Sequence, residues 1–191
     1  MDDALARFHQ DRKRARDAGD PMAALCVLAT VDGSGFPQAR TLVLRDLHDR
    51  LALFMNATSP KVAQLQLGSA AICVYLPSIQ IQYRCAVGLE AVDPVVVAES
   101  WHLRPPMPKT LDWFYTHVQP QSTRVASHDA LHSQLGEFSL PDPLVAPHTA
   151  VGYYLTPTMI ERLDLAMPTG LHDRIRWTRT SHGWQKDQLT P

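Results

Sequence analysis

Residues 23–46 carry the feature that most restricts how this chain can fold. AALCVLATV (residues 23–31) is rich in Val, Leu and Thr, Asp32-Gly33-Ser34-Gly35 is a tight-turn sequence, and PQARTLVLRD (residues 37–46) is a second run of the same kind. Two β-rich runs joined by so few residues return antiparallel, because a parallel partner needs a crossover of a dozen residues or more. A second turn at His48-Asp49-Arg50 leads into residues 51–55, so the expectation is a three-strand meander.

The rest of the chain keeps the same grammar. Residues 3–17 are highly charged, with Ala4, Leu5 and Phe8 as an apolar stripe and Gly19 as a stop, which predicts a helix. Ser59-Pro60 opens a short helix whose apolar side is Val62, Leu65 and Leu67. Strands are expected at residues 70–76 and 79–92, with Gly88 as a bend, then a helix at 94–103 that stops before Pro105-Pro106. Residues 105–147 are rich in Pro, His and Gln and predict an irregular insertion with one helix, 127–135, capped by Ser127. Strands follow at 151–155, 159–165, 174–179 and 184–189.

That is roughly eight strands without βαβ alternation, so the expected fold is mainly β, a small antiparallel barrel with peripheral helices. One domain over residues 1–191 is expected, comprising an N-terminal helix within 1–20 and the insertion at 105–147. Fifteen prolines against nine glycines argue against a long helical bundle.

Partners and compartment follow from charge and cysteine use. The net charge of -1 gives no global attraction to nucleic acid or anionic membrane, and neither is expected as a partner. MDDALARFHQDRKRARDAGD has no apolar signal core, and no stretch approaches the roughly 18 apolar residues of a spanning helix. Cys26, Cys73 and Cys85 lie at wide spacing inside apolar runs, which suits free thiols in a cytoplasmic protein better than a disulfide framework or a zinc site. No metal is expected.

Motifs for phosphate loops, dinucleotide turns, zinc proteases and serine hydrolases are absent. His102, His117, His128, His132 and His148 lie in polar, loop-like surroundings and read as surface residues. Two clusters stand out. In Arg40-Thr41-Leu42-Val43-Leu44-Arg45, alternation places Arg40, Leu42 and Leu44 on one face and Thr41, Val43 and Arg45 on the other. Such a strand can flank an anionic ligand, or simply be an edge strand with solvated ends. In Leu171-His172-Asp173-Arg174, an imidazole and a guanidinium share a face if the segment is extended, which suits phosphate or carboxylate, or an ordinary turn-to-strand junction.

In this order and at this separation, the two clusters resemble the pyridoxamine 5'-phosphate oxidase family of FMN-binding split β-barrels. The resemblance covers about residues 20–191. It is carried by residues 28–32 with 37–44, Phe54-Met55-Asn56, Ser59-Pro60-Lys61, Arg104-Pro105, Gln121-Ser122, Leu171-His172-Asp173-Arg174, Trp184, and the closing Leu189-Thr190-Pro191. It implies a homodimer with FMN in the cleft between subunits, and part of the site supplied by the second subunit. Arg40 and Lys61 would contact the flavin phosphate. Thr41, Leu42, Val43, Leu44 and Arg45 would line the ring, joined by Met55, Asn56 and Tyr83 (or Gln82, one register away). Gln121, Ser122 and Arg174 would complete the cofactor site.

On the substrate side the resemblance implies Arg104 on a substrate phosphate, with His172 and Arg45 orienting a pyridine ring whose C4' gives a hydride to flavin N5. Oxygen would be the final acceptor, and the product would feed pyridoxal phosphate biosynthesis. Several positions depart from the family pattern: Arg45 for a lysine, Ser100 for a tyrosine, Pro108 near a missing serine, Gly170 for an arginine, Leu163 for an aromatic and Pro60 for an arginine. The departures leave open a relative that uses FMN on another small molecule, or a flavin-binding barrel without turnover.

Overall fold

The computed structural model describes residues 3–47, 49–68 and 70–191. Helix α1 (Ala4–Asp17) is capped by Asp3, whose carboxylate accepts from the N–H groups of Leu5 and Ala6. A 3-10 turn, Pro21–Ala24, leads into β1 (Leu25–Val31) and β2 (Pro37–Val43), followed by β3 (Arg45–Leu47) and β4 (Arg50–Asn56). Then come α2 (Pro60–Gln66), β5 (Ala70–Leu76), β6 (Ile81–Ala91), α3 (Pro94–His102), α4 (Pro106–His117) and α5 (His128–Glu137). The chain ends with β7 (Ala150–Asp164), β8 (Asp173–Thr180) and β9 (Gly183–Leu189). The strands form one sheet in the order β2-β1-β5-β6-β7-β4-β3, with β8 on β7 and β9 on β8, and every strand register described is antiparallel. Among the described residues no helix is long and apolar enough to cross a membrane.

The hairpin read from residues 23–46 is present, with Val31 facing Pro37 and Leu25 facing Val43. Asp32 locks its turn. The carboxylate accepts from the Ser34 hydroxyl at 2.6 Å, the Phe36 N–H at 3.0 Å and the Gln38 amide at 3.0 Å, and these bonds hold its pKa down at about 2. The three-strand meander is not formed. The run to Asp46 breaks at Leu44, whose N–H donates to the Ala24 carbonyl, and β3 pairs with β4 while β2 pairs with β1. Alternation alone cannot see such a break, because the residues on either side are equally β-prone. His48 lies outside the described residues.

Four other elements differ from expectation. Residues 23 and 24 belong to the 3-10 turn, not the strand. Leu67 is 58% exposed, so the core side of α2 is Val62 and Leu65 alone. The two strands expected at 151–155 and 159–165 are one, β7, which runs through Pro157 because extended backbone accepts proline's fixed φ. Most consequential is α4 inside the segment read as irregular. Its prolines, Pro106 and Pro108, fall in the first turn, where a missing N–H breaks no helical bond.

The chain divides into two compact units. The first takes in the residues up to Leu53, Leu67–Glu90 and Tyr154–Pro191, and the second Phe54–Gln66 and Ala91–Tyr153. In the first, α1 is fixed by buried charge. Arg12, 1% exposed, donates to the Ala23 carbonyl at 3.1 Å, the Leu44 carbonyl at 2.9 Å and Asp46 Oδ1 at 2.5 Å. The residue before it, Asp11, accepts from the Tyr83 hydroxyl at 2.6 Å and from Arg162 Nε at 2.9 Å. Burial pushes the Asp11 carboxyl up, but these donors outweigh it and the group titrates below its ordinary value. In the second unit Gly152 is required, since a Cβ there would meet Phe54 Cε1 at 2.8 Å and Val92 Cβ at 3.1 Å. The three cysteines are free, and burial raises Cys26 and Cys85 to about 12, which leaves them unreactive.

Candidate functional site

In the first unit residues 40–44 keep the expected alternation of burial, although β2 ends at Val43. Thr41 and Val43 are exposed, Arg40 and Leu42 half-buried, and Leu44 buried. Arg40 is anchored through its guanidinium: Nη1 donates to the Thr30 hydroxyl at 2.6 Å and to the Leu28 carbonyl at 3.4 Å. Leu44 is 2% exposed, and its main chain is held by Arg12 and Ala24, so it offers packing and not a free side chain. Arg45 opens β3 opposite Ala52 and is half-buried.

Arg174 stands on β8 opposite Leu163 of β7 and Leu189 of β9. Its Nη2 reaches Glu161 Oε1 at 3.1 Å and its Nη1 the Thr190 carbonyl at 3.3 Å. The two parts of the closing motif, Arg174 and Leu189-Thr190-Pro191, are therefore strand neighbours. His172 is half-buried just ahead of β8, with its Nδ1 buried and unpartnered. Tyr83 does not present itself to a ligand. It is 0% exposed, lies edge-on to Phe8 with ring centroids 4.7 Å apart, and donates its hydroxyl to Asp11. Burial in the first place, and Asp11 in the second, raise its pKa. Its assignment to the cofactor is corrected: Tyr83 is a core residue that ties β6 to α1, and its strand neighbour Gln82 is the half-buried one.

In the second unit Lys61, Gln121 and Ser122 are brought together. With Ser59, Tyr115 and Thr123 they line a cavity of about 300 Å³ that has no Asp or Glu in its wall. Lys61 Nζ donates to the Ser59 hydroxyl, and the Gln121 N–H donates to the Thr58 hydroxyl at 3.3 Å. Gln121 Oε1 is buried and unpartnered, and Ser122 holds φ +65°, a conformation that concentrates at ligand-binding turns. An ammonium, four hydroxyls and an amide with an open acceptor suit a phosphate and a polyol chain, so the residues present fit the FMN phosphate arm.

Met55 and Asn56 are buried. Asn56 spends its amide on the Asp112 carbonyl at 3.0 Å and accepts the Thr58 N–H at 2.9 Å, which shapes the loop before Lys61. Arg104 pairs with Asp112, a residue the sequence reading did not single out. Its signal was a lone acid inside the apolar run Leu111-Asp112-Trp113-Phe114, visible only once that run is known to be helical. Among the described residues no cluster of His, Cys, Asp and Glu could hold a metal.

Comparison with known proteins decides the family. Residues 6–92 match the model described as pyridoxamine 5'-phosphate oxidase, FMN-binding domain. The chain is 32% identical to a pyridoxine/pyridoxamine 5'-phosphate oxidase of Pseudomonas putida (strain W619) over 98% of this chain and 88% of that protein. The chain belongs to the pyridoxamine 5'-phosphate oxidase family. A second oxidase of that name, from Alkalilimnicola ehrlichii, is also 32% identical and matches 100% of this chain and 98% of its own length. The fold is that of PhzG from Burkholderia lata 383, solved in complex with tetrahydrophenazine-1-carboxylic acid, with a TM-score of 0.84 at 23% identity over 100% of this chain and 94% of that one. A pyridoxamine 5'-phosphate oxidase-related, FMN binding protein from Nostoc punctiforme has the same fold, with a TM-score of 0.77 at 23% identity and 97% and 96% coverage. The fold is thus the FMN-binding split barrel, mainly antiparallel β with helices, and FMN is the cofactor of the matched domain.

Proposed function

We propose that this chain is an FMN-dependent oxidase of the pyridoxamine 5'-phosphate oxidase type, working as a single split-barrel domain in a cytoplasmic homodimer. When bound, FMN supplies the redox step, taking a hydride at N5 from a substrate carbon equivalent to C4' and passing the electrons to oxygen. The chain supplies position and charge. Lys61 and Arg40 neutralise the flavin phosphate, Thr41, Leu42, Val43 and Arg45 line the ring with Leu44 packed behind them, and Gln121, Ser122 and Arg174 fix the remaining polar groups. Arg45 and His172 orient the substrate, and Arg104 faces its far end.

The observation that carries this reading is the acid-free cavity of Lys61, Gln121 and Ser122, with one buried acceptor left open. Purified protein should absorb at about 450 nm and release hydrogen peroxide with a pyridoxamine-type substrate. Arg174→Ala should weaken FMN retention about tenfold, the loss of one charge-assisted bond. Unchanged retention would remove Arg174 from the site.

A homodimer is supported by the outward face of β1, β2 and β5. Val27 (37% exposed), Val43 (53%) and Tyr75 (41%) lie there, and Phe36 (64%) caps the adjoining turn. A second copy of this face is the occupant proposed, and Val43→Glu should shift sedimentation toward the monomer. The free thiols suit a reducing compartment.

A second reading keeps the cofactor and changes the substrate. It is favoured by Ser100, Pro108 and Gly170, which remove a phenol, a hydroxyl and a guanidinium from the substrate side.

A further inference from the structure

Arg104 and Asp112 stand eight residues apart in the second unit, at the end of α3 and within α4. Asp112 is 5% exposed, and its Oδ2 accepts from both Arg104 Nη1 and, at 2.8 Å, Trp101 Nε1. Its main-chain carbonyl accepts from Asn56 Nδ2 at 3.0 Å and from the Thr116 hydroxyl at 2.6 Å. The backbone of Asp112 is therefore fixed, and a carboxylate that swings away from Arg104 gives up its bond from Trp101 as well.

The other cation described nearby, Lys109, is already engaged. Lys109 donates to the His102 carbonyl at 2.7 Å and lies 5.5 Å from the Trp101 ring. Ser100 is 9% exposed, and Pro105, Pro106 and Pro108 bring no N–H at all. A phosphate ester carries close to two negative charges near neutral pH. To use Arg104 it must either lie beside the Asp112 carboxylate or pull the guanidinium off it. The first sets like charges together, and the second leaves a buried carboxylate with one indole N–H.

We propose that Asp112 sets the substrate end at Arg104 against phosphate esters, so that the hydride donor is a small molecule without a phosphate group. This rests on the flavin-oxidase reading above and narrows its substrate class. The Arg104–Asp112 pair is neutral as a whole, so it accommodates an uncharged substrate and gives a dianion no net attraction.

The test compares pyridoxine with pyridoxine 5'-phosphate by titration calorimetry on FMN-supplemented protein. In the native chain the ester should bind within about threefold of the alcohol. Asp112→Asn keeps an acceptor for Trp101 and removes the charge. It should tighten the ester about tenfold or more while leaving the alcohol within about threefold. A native preference for the ester of tenfold or more, or no gain in Asp112→Asn, would overturn the proposal. If the variant does not fold, the native ratio alone decides. Absence of the flavin band at about 450 nm after FMN addition would count against the oxidase reading instead, because the heats report phosphate binding without turnover.

Discussion

Arg12 and Arg104 both end on an aspartate, and the two pairs are built for different purposes. Arg12 in α1 is 1% exposed and shares its guanidinium among two main-chain carbonyls and Asp46. Asp46 in turn is met by His9 at 3.1 Å and Arg16 at 3.1 Å, so the seam spreads charge over several groups. Arg104 has a 28% exposed side chain and meets one carboxylate, which Trp101 shares. A buried arginine with all three nitrogens engaged is a fastener. A half-open arginine whose single partner is rigid is a selector, because its remaining surface faces whatever arrives.

The contrast can be broken by experiment. The largest effect is expected for Arg12→Ala, which strands two carbonyls and Asp46 and should cost about 3–5 kcal/mol. Calorimetry should show the melting temperature falling by roughly 6–20 °C for a chain of this size. A fall of a degree or two would mean that α1 is not fastened by this residue. Arg104→Ala should cost less, about 1–3 kcal/mol. Burial already pushes the Asp112 carboxyl up, with Arg104 and Trp101 only partly opposing it, so the group can take up a proton when its partner is lost. If Arg104→Ala proved as damaging as Arg12→Ala, the distinction between fastener and selector would fail.

The smallest effect lies in pH. Burial works against ionisation of Asp46, but His9, Arg12 and Arg16 outweigh it and hold the carboxyl at about 2, below its ordinary 3.8. A depressed carboxylate stabilises fully above its unfolded value and loses that contribution as pH falls through its folded value. After allowance for its partial exposure, the expected contribution is about 1–2 kcal/mol. The difference in melting temperature between the native chain and Asp46→Asn should therefore shrink as pH is lowered from about 4 toward 2. A difference that does not change over that range would show that Asp46 is not held by these cations.

How much of this was legible in the sequence differs by region for physical reasons. The hairpin at β1 and β2 was readable because its strands and turn are local, down to the Asp32 carboxylate that organises the turn. Arg174 and the Leu-Thr-Pro ending were readable as a motif, and the register shows why they travel together: Arg174 faces Leu189 and bonds to Thr190. The break at Leu44 was not readable, because a contact from Arg12, distant in sequence, holds the kinked main chain. Tyr83 was misplaced because strand alternation says which face a residue takes but not which face is core. Helix α4 is hidden by the proline content of 105–147, because two of those prolines sit in its first turn, where they break no helical bond. With it went Asp112, the residue on which substrate choice is proposed to turn.

The bond from Arg174 to the Thr190 carbonyl has a practical consequence. Removing the last three residues takes away Thr190 and the partner of Arg174 at Leu189, yet touches no buried side chain. A chain cut after Gln188 should therefore loosen a residue proposed for the flavin site in otherwise native protein. Measured as faster loss of the yellow colour, that truncation reads out the anchoring of Arg174 while leaving its side chain unaltered.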